Sequence, residues 1–214
     1  MKQKNTTHNT VELLGYYGDD TTIALSAWTS TSRELTEEKR NRIPTLLKFL
    51  ADNKHETPFE KSSLHFLINT DIATHIHLLK HRIGVSVNAA SARYRELKED
   101  DFYLPDDFPP LWKAELENHT QLSLHLYHQC LKSLVEDYGF TRKRAKESAR
   151  FFRTYNTQIS ADILFNFRSF VHFQKLRNSE HAQKEVREIA GAMLDLVKSI
   201  PNSPFEYSLS AFEL

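Results

Sequence analysis

The longest periodic stretch of the sequence constrains the fold most, because it predicts one long helix through the middle of the chain. Over residues 111–138, apolar side chains recur every four residues, at Leu122, Leu126, Cys130, Leu134 and Tyr138. That spacing places them on one face of a helix, and we expect this face to be buried. Cys130 is then a core residue and not a nucleophile.

Shorter patterns on either side predict strands and further helices. Strands are expected over residues 11–17 and 63–69, where β-prone residues are bounded by polar ones. Helices are expected over residues 21–30, 36–53, 166–177 and 180–198. Asp71 is expected to cap another helix, with Ile72, Ile76, Leu79 and Ile83 on its apolar stripe and Gly84 at its end. The predicted fold class is α+β: one mostly helical domain over residues 1–214 with a small antiparallel sheet.

Composition limits the classes of protein to which the chain can belong. It has 214 residues, 40% of them hydrophobic and 26% charged, which is typical of a soluble globular domain. Lys and Arg number 28, as do Asp and Glu, so any anion site must come from local clustering. One cysteine excludes an internal disulfide, and no apolar stretch suits a signal peptide or a membrane span. We expect a cytoplasmic protein without a membrane partner.

The stretch KHRIGVSVNAASARY concentrates positive charge beside a run of small residues. It begins with a basic triplet, Lys80 to Arg82, two residues before Gly84. One interpretation is the cationic last turn of a helix that Gly84 stops. The other is a phosphate socket, because small side chains let a ligand reach backbone N–H groups and Arg93 offers a planar fork of donors. The residues alone leave both interpretations open.

The same stretch resembles the signature of the flavin-dependent thymidylate synthases, R-H-R-x-x-S-x-N-E-x-S-x-R-Y. The histidine, the second arginine, both serines, the asparagine and the final Arg-Tyr are kept. Lys80 replaces the first arginine, Ala89 replaces the glutamate, and one extra residue lies between Arg82 and Ser91.

Four further motifs of that family follow its order along nearly the whole chain. They are HETPFE at 55–60, ESAR at 147–150, NFRS with a later LR at 166–177, and AQ with EVR at 182–187. Each motif is weak alone, but five in the right order are hard to obtain by chance.

The resemblance implies that the chain binds FAD. On a helix Arg168 and His172 share one face, while Asn166 and Arg177 share another, so one helix could address two ligands. The sequence has neither G-x-G-x-x-G nor G-x-x-x-x-G-K, so other residues must hold the cofactor. The positions that the resemblance assigns to FAD are Thr57, His81, Arg82, Ile83, Asn166, Arg168 and His172, with His55 close to the flavin.

The resemblance also implies the reaction, which is methylation of dUMP at C5 to give dTMP, a step of nucleotide biosynthesis. Methylenetetrahydrofolate would supply the one-carbon unit and NADPH would reduce the flavin. Arg177, catalytic together with His55, would stabilise negative charge drawn onto the uracil ring. The nucleotide positions are His77, Lys80, Ala89, Ala90, Ser91, Ala92, Arg93, Arg150 and Arg177. The family forms a homotetramer whose active sites lie where subunits meet.

The departures from the signature leave the substrate open. A relative acting on UMP or a dCMP-like ring, or transferring a hydroxymethyl group, fits the same motifs. A catalytically inactive nucleotide-binding relative is a third hypothesis, although Arg177, His55 and Arg82 are all kept.

Two other features suggest functions that we do not expect. The basic segment TRKRAKESARFFR is typical of a solvated helix face or of a nucleic-acid patch, and the neutral chain argues against nucleic acid. His125 and His128 could share a metal ion, but no third ligand is near them in the sequence, so no metal is expected.

Overall fold

The computed structural model describes residues 2–5, 8–94, 96 and 102–214. The chain divides into two compact units. The first comprises Met1–Ile68, His77–Asn88 and Ala161–Leu214, and the second comprises Asn69–Ile76 and Ala89–Ser160. The expectation of a single domain over residues 1–214 stays a prediction. Within the described ranges, every helix is too short or too polar to cross a membrane.

Five strands form one sheet in the order β1-β2-β3-β5-β4. They are β1 (Lys2–Asn5), β2 (Thr10–Tyr17), β3 (Ser63–Asp71), β4 (Val85–Ala89) and β5 (Gln158–Asn166). β1 and β2 pair antiparallel, with Lys2 opposite Leu13. At one end of the β3–β5 pair the Ser62 carbonyl accepts from the amide of residue 167, and at the other end Ser160 bonds to Asn69. Residue numbers therefore rise along β3 in the direction in which they fall along β5, so this pair is antiparallel too.

The helices of the described ranges are α1 (Asp20–Ala27), α2 (Glu37–Asp52), α3 (Ile72–Leu78), α4 (Pro110–Glu136), α5 (Arg142–Ala149), α6 (Phe167–Arg177), α7 (Lys184–Lys198) and α8 (Glu206–Ala211). Short polar side chains start several of them: Asp19 accepts from the Thr22 amide ahead of α1, and Thr36 accepts from the Lys39 amide ahead of α2. The predicted α+β class with a small antiparallel sheet is confirmed.

The core of the first unit lies between the sheet and α6. β3 buries Leu64, Phe66 and Ile68, and β5 buries alternate residues in the same way. From α6, the ring of Phe170 stacks on that of Phe66 at 6.1 Å between centroids. The ring of Phe167 stacks on another core ring at 5.0 Å. These aromatic contacts fix α6 rigidly against the sheet, so its exposed residues have defined positions.

A buried carboxylate joins α1 to the start of α8. Asp20 accepts from the backbone amides of Tyr207 and Ser208, at 2.8 and 2.9 Å, and from the Ser208 hydroxyl at 2.5 Å. Burial raises the pKa of Asp20, and these hydrogen bonds partly offset that rise.

The predicted long helix is present as α4, but the predicted buried face is wrong. Leu122 is 57% exposed and Tyr138, beyond the helix, is 71% exposed. The buried residues are Thr120, Ser123, Leu124, Tyr127 and Leu131. Tyr127 and Leu131 pack with Ala145 and Ala149 of α5 within the second unit, and Cys130 is half-buried beside that cluster.

The helix predicted to run from Asp71 to Gly84 is shorter than expected. Asp71 accepts from the Thr74 amide as predicted, but α3 ends at Leu78. Gly84 does not stop a helix, because its carbonyl accepts from the amide of residue 166 at 2.8 Å and thereby starts the pairing of β4 with β5. The predicted stripe is therefore exposed at Ile83. Segment 86–92, interpreted as a ligand lining, is a strand as far as residue 89.

Candidate active site

The turn of residues 81–84 is held by the first residues of α6. The Ser169 hydroxyl donates to the Ile83 carbonyl at 2.6 Å, while Asn166 caps the helix by accepting from the Ser169 amide at 2.8 Å. Gly84 has φ +65° and lies so close that a Cβ there would be 2.2 Å from Nδ2 of Asn166. The N-F-R-S motif therefore fixes the turn, and the turn requires glycine at this position.

A cleft of about 270 Å³ opens beside this turn. Its lining residues are Glu56, Glu60, Ile83, Arg168, Ser169, Val171, His172, Lys175 and Phe212. Three positions predicted to contact FAD, namely Ile83, Arg168 and His172, thus come together in one cleft. Ile83 is 89% exposed, so it presents an apolar side chain to whatever enters.

Two glutamates hold Arg168 in the cleft. Nε of Arg168 donates to Oε2 of Glu56 at 2.8 Å, and Nη1 donates to Oε1 of Glu60 at 2.6 Å. These two bonds, the one to Glu60 first, raise the pKa of Arg168. Sequence reasoning assigned no role to either acid. One family motif carries the two acids and another carries the arginine, but nothing in their spacing along the sequence pairs them.

Arg177, at the last turn of α6, is bonded directly to His81. Its Nε donates to Nε2 of His81 at 2.9 Å. A guanidinium can only donate, so the imidazole accepts at Nε2, is neutral and carries its proton on Nδ1. Burial, with Arg177 and His172 adding to it, lowers the pKa of His81 to about 4. The ring of Phe173 meets the imidazole edge-on at 4.9 Å.

The other predicted positions of the first unit are spread over several segments of the chain. His55 is exposed, with its ring edge-on to Phe49 at 6.2 Å, and Thr57 is exposed at the start of a 3₁₀ helix, Thr57–Lys61. In the described ranges, neither lines the cleft, although Glu56 between them does. Lys80 and Arg82 are exposed in the connection from α3 to β4, and His77 is half-buried on α3.

In the second unit, the predicted phosphate loop lies against α5. Ser91 accepts from the Arg93 amide at 3.3 Å, and Nε of Arg93 lies 3.2 Å from Oε1 of Glu147. Lys146 donates to the Tyr94 carbonyl at 3.1 Å. Glu147 is a third acid to which sequence reasoning assigned no role, and it pairs with Nε of Arg93.

The small residues of that loop have structural partners. The amide of Ala90 donates to the Ser160 carbonyl at 2.8 Å, Ala92 is buried and Ala89 ends β4. Arg150 follows α5, exposed, with its guanidinium 5.8 Å from the ring centroid of Phe151. Among the described residues, no three His, Cys, Asp or Glu side chains are arranged to hold a metal ion.

Comparisons with known proteins show which proteins the chain resembles. The sequence profile described as thymidylate synthase complementing protein matches residues 12–202. A flavin-dependent thymidylate synthase of Pseudothermotoga lettingae is 34% identical over 192 residues, covering 89% of this chain and 85% of that protein. One of Thermosipho melanesiensis is 32% identical, covering 84% and 81%.

A solved structure has the same fold. It is a UMP/dUMP methylase, PolB from Streptomyces cacaoi, bound with 5-Br dUMP. The TM-score is 0.72 at 24% sequence identity, covering 97% of this chain and 96% of that one.

Proposed function

The chain belongs to the thymidylate synthase complementing protein family, that of the flavin-dependent thymidylate synthases, and from that premise we propose that it methylates dUMP at C5 to give dTMP. The observation that carries the proposal is the contact between one turn and one helix. The turn of residues 81–84 and α6 together supply the cleft residues Ile83, Arg168 and His172 and the Arg177–His81 pair.

Arg177 has the chemistry that the reaction needs at the pyrimidine. C5 of uracil is a poor nucleophile until negative charge is drawn onto the ring, and a fixed guanidinium stabilises that charge. Arg177 is half-buried, which strengthens its field relative to an exposed arginine. We assign it as the activating residue, with His55 as the second catalytic position.

The cleft residues fit a flavin. Ile83 offers an exposed apolar surface for a planar ring. Lys175 and the N–H groups of Arg168 that are not bonded to Glu56 and Glu60 offer donors for a diphosphate. Arg168 bonds the glutamates through Nε and one N–H of Nη1, so the second N–H of Nη1 and both N–H groups of Nη2 remain for a ligand. The residues that would hold FAD are Thr57, His81, Arg82, Ile83, Asn166, Arg168 and His172. When bound, the flavin supplies the reducing electrons of the methylation.

The nucleotide phosphate is assigned to the loop in front of α5. Nε of Arg93 already pairs with the carboxylate of Glu147, and a phosphate oxygen is an anionic acceptor of the same kind. We assign His77, Lys80, Ala89, Ala90, Ser91, Ala92, Arg93, Arg150 and Arg177 to the nucleotide.

Several finer parts of the proposal rest on the family resemblance alone. They are methylenetetrahydrofolate as the one-carbon donor, NADPH as the reductant and a homotetramer that completes each site. A cytoplasmic location stays a prediction from the single cysteine.

One observation favours a second candidate, methylation of UMP or a dCMP-like nucleotide. Ala89 stands where the family has glutamate, at the end of β4 and directly before the predicted phosphate loop. One hydrogen bond can decide which base a site accepts, so losing that carboxylate can change the substrate.

The test is the absorbance spectrum of the purified protein, followed by titration with dUMP, UMP and dCMP. We expect a yellow protein whose flavin bands shift with dUMP. Shifts with UMP or dCMP alone would favour the second candidate. A colourless protein that also fails to take up added FAD would refute the flavoenzyme proposal.

A further inference from the structure

The bond between Arg177 and His81 defines how the guanidinium is held. Nε is the donor nearest the aliphatic stem of an arginine, and here it is bonded to Nε2 of His81 at 2.9 Å. Fixing Nε fixes the plane of the guanidinium, because the group is rigid and planar. The donors on Nη1 and Nη2 are then the ones available to a ligand.

We propose that His81 is a positioning residue, whose neutral Nε2 accepts from Arg177 and so orients the guanidinium toward the pyrimidine ring. The inference rests on the proposed function, since it takes Arg177 as the residue that touches the substrate. It gives His81 a task distinct from a flavin contact.

The surroundings of His81 keep the acceptor present and aimed. Its ring is restrained edge-on by Phe173 at 4.9 Å, and the ring of His172 lies 6.3 Å away between centroids at an interplanar angle of 61°. A protonated imidazole would lose the acceptor and set two cations against each other. The low pKa, about 4, keeps the ring neutral at physiological pH.

Two conservative variants test the position of the acceptor atom separately from the polarity and size of the side chain at residue 81. His81→Gln places an amide oxygen at about the reach of Nε2, whereas the shorter amide of His81→Asn stops near the position of Nδ1. Both keep a polar side chain, and His81→Leu removes every acceptor as a further check. Each variant is assayed for flavin content, dUMP affinity by calorimetry, kcat and KM.

We expect His81→Gln to retain more of the wild-type kcat/KM per bound flavin than His81→Asn and His81→Leu do. His81→Asn and His81→Leu should lose about tenfold to a hundredfold, the worth of one charged hydrogen bond. In an Arg177→Ala background, the Gln and Asn variants should bind dUMP equally, because the residue that His81 positions is gone.

Three outcomes would overturn the inference. The first is equal loss in the Gln and Asn variants, and the second is a Gln–Asn difference in dUMP affinity that persists without Arg177. The third is a loss in the Asn and Leu variants that tracks flavin content alone. A wild-type protein that binds neither flavin nor dUMP would instead refute the proposed function, and this inference with it.

Discussion

Gly84→Ala tests whether the turn of residues 81–84 is clamped as tightly as the distances indicate. An alanine at φ +65° costs about 1–2 kcal/mol from the left-handed backbone alone. Its Cβ would also lie 2.2 Å from Nδ2 of Asn166 and 2.5 Å from Oγ of Ser169, so those side chains must move. Losing the cap costs about 1 kcal/mol. Losing the Ser169 bond to the Ile83 carbonyl costs about 1 more. We therefore expect Gly84→Ala to lower the free energy of unfolding by about 3–4 kcal/mol.

Gly139→Ala is the matched control. Gly139 has φ +68°, nearly the same backbone, but nothing lies within 4 Å of the position that its Cβ would take. Only the backbone cost of about 1–2 kcal/mol applies there. Urea titrations of both variants and the wild type give each free energy of unfolding.

The test is the difference between the two variants in free energy of unfolding. If Gly84→Ala cost no more than Gly139→Ala, the clamp formed by Asn166 and Ser169 would carry no energy. The inference that a rigid turn presents Ile83 to the cleft would then be wrong. Flavin affinity, measured on the same samples, should fall only in Gly84→Ala.

Three further changes test the site and the core. Arg177→Ala should abolish turnover yet leave flavin absorbance intact; persisting activity would refute the activation role. Ala89→Glu should shift the ranking of dUMP, UMP and dCMP in flavin titrations or alter flavin affinity, and no change in either would mean that another residue replaces the missing carboxylate. The pKa of Asp20 is raised, so the folded state binds the Asp20 proton more tightly than the unfolded state does. The contribution of this proton to stability is therefore lost as pH rises above 3.8 and through the raised pKa. Relative to Asp20→Asn, the wild type should lose free energy of unfolding over that range in urea titrations, and parallel pH profiles would contradict the assignment.

Local patterns predicted the elements whose signals are unambiguous. β2, β3 and α6 lie where the sequence placed them, because alternation, β-prone residues and the Asn166 cap all agree there. β5 was missed, although Ala161, Ile163 and Phe165 alternate with polar or exposed residues. That alternation is interrupted by the aromatic start of α6, which hides the end of the strand.

The wrong predictions arose where the sequence fits two alternative structural interpretations. In α4 both the Leu122 series and the Leu124–Tyr127–Leu131 series have helical spacing, and only packing on α5 selects the second. In the candidate site, motif positions predicted Ile83, Arg168 and His172 together. The glutamates that hold the arginines could not be assigned, because an ion pair 112 residues apart in sequence leaves no periodic signal.

The clasp of Arg168 by Glu56 and Glu60 makes two distant motifs one physical unit. A change at Arg168 leaves two acids facing each other in the cleft, and a change at either acid frees the arginine to turn. We therefore expect these three residues to change together among relatives, so that a relative lacking one of them has exchanged the others as well.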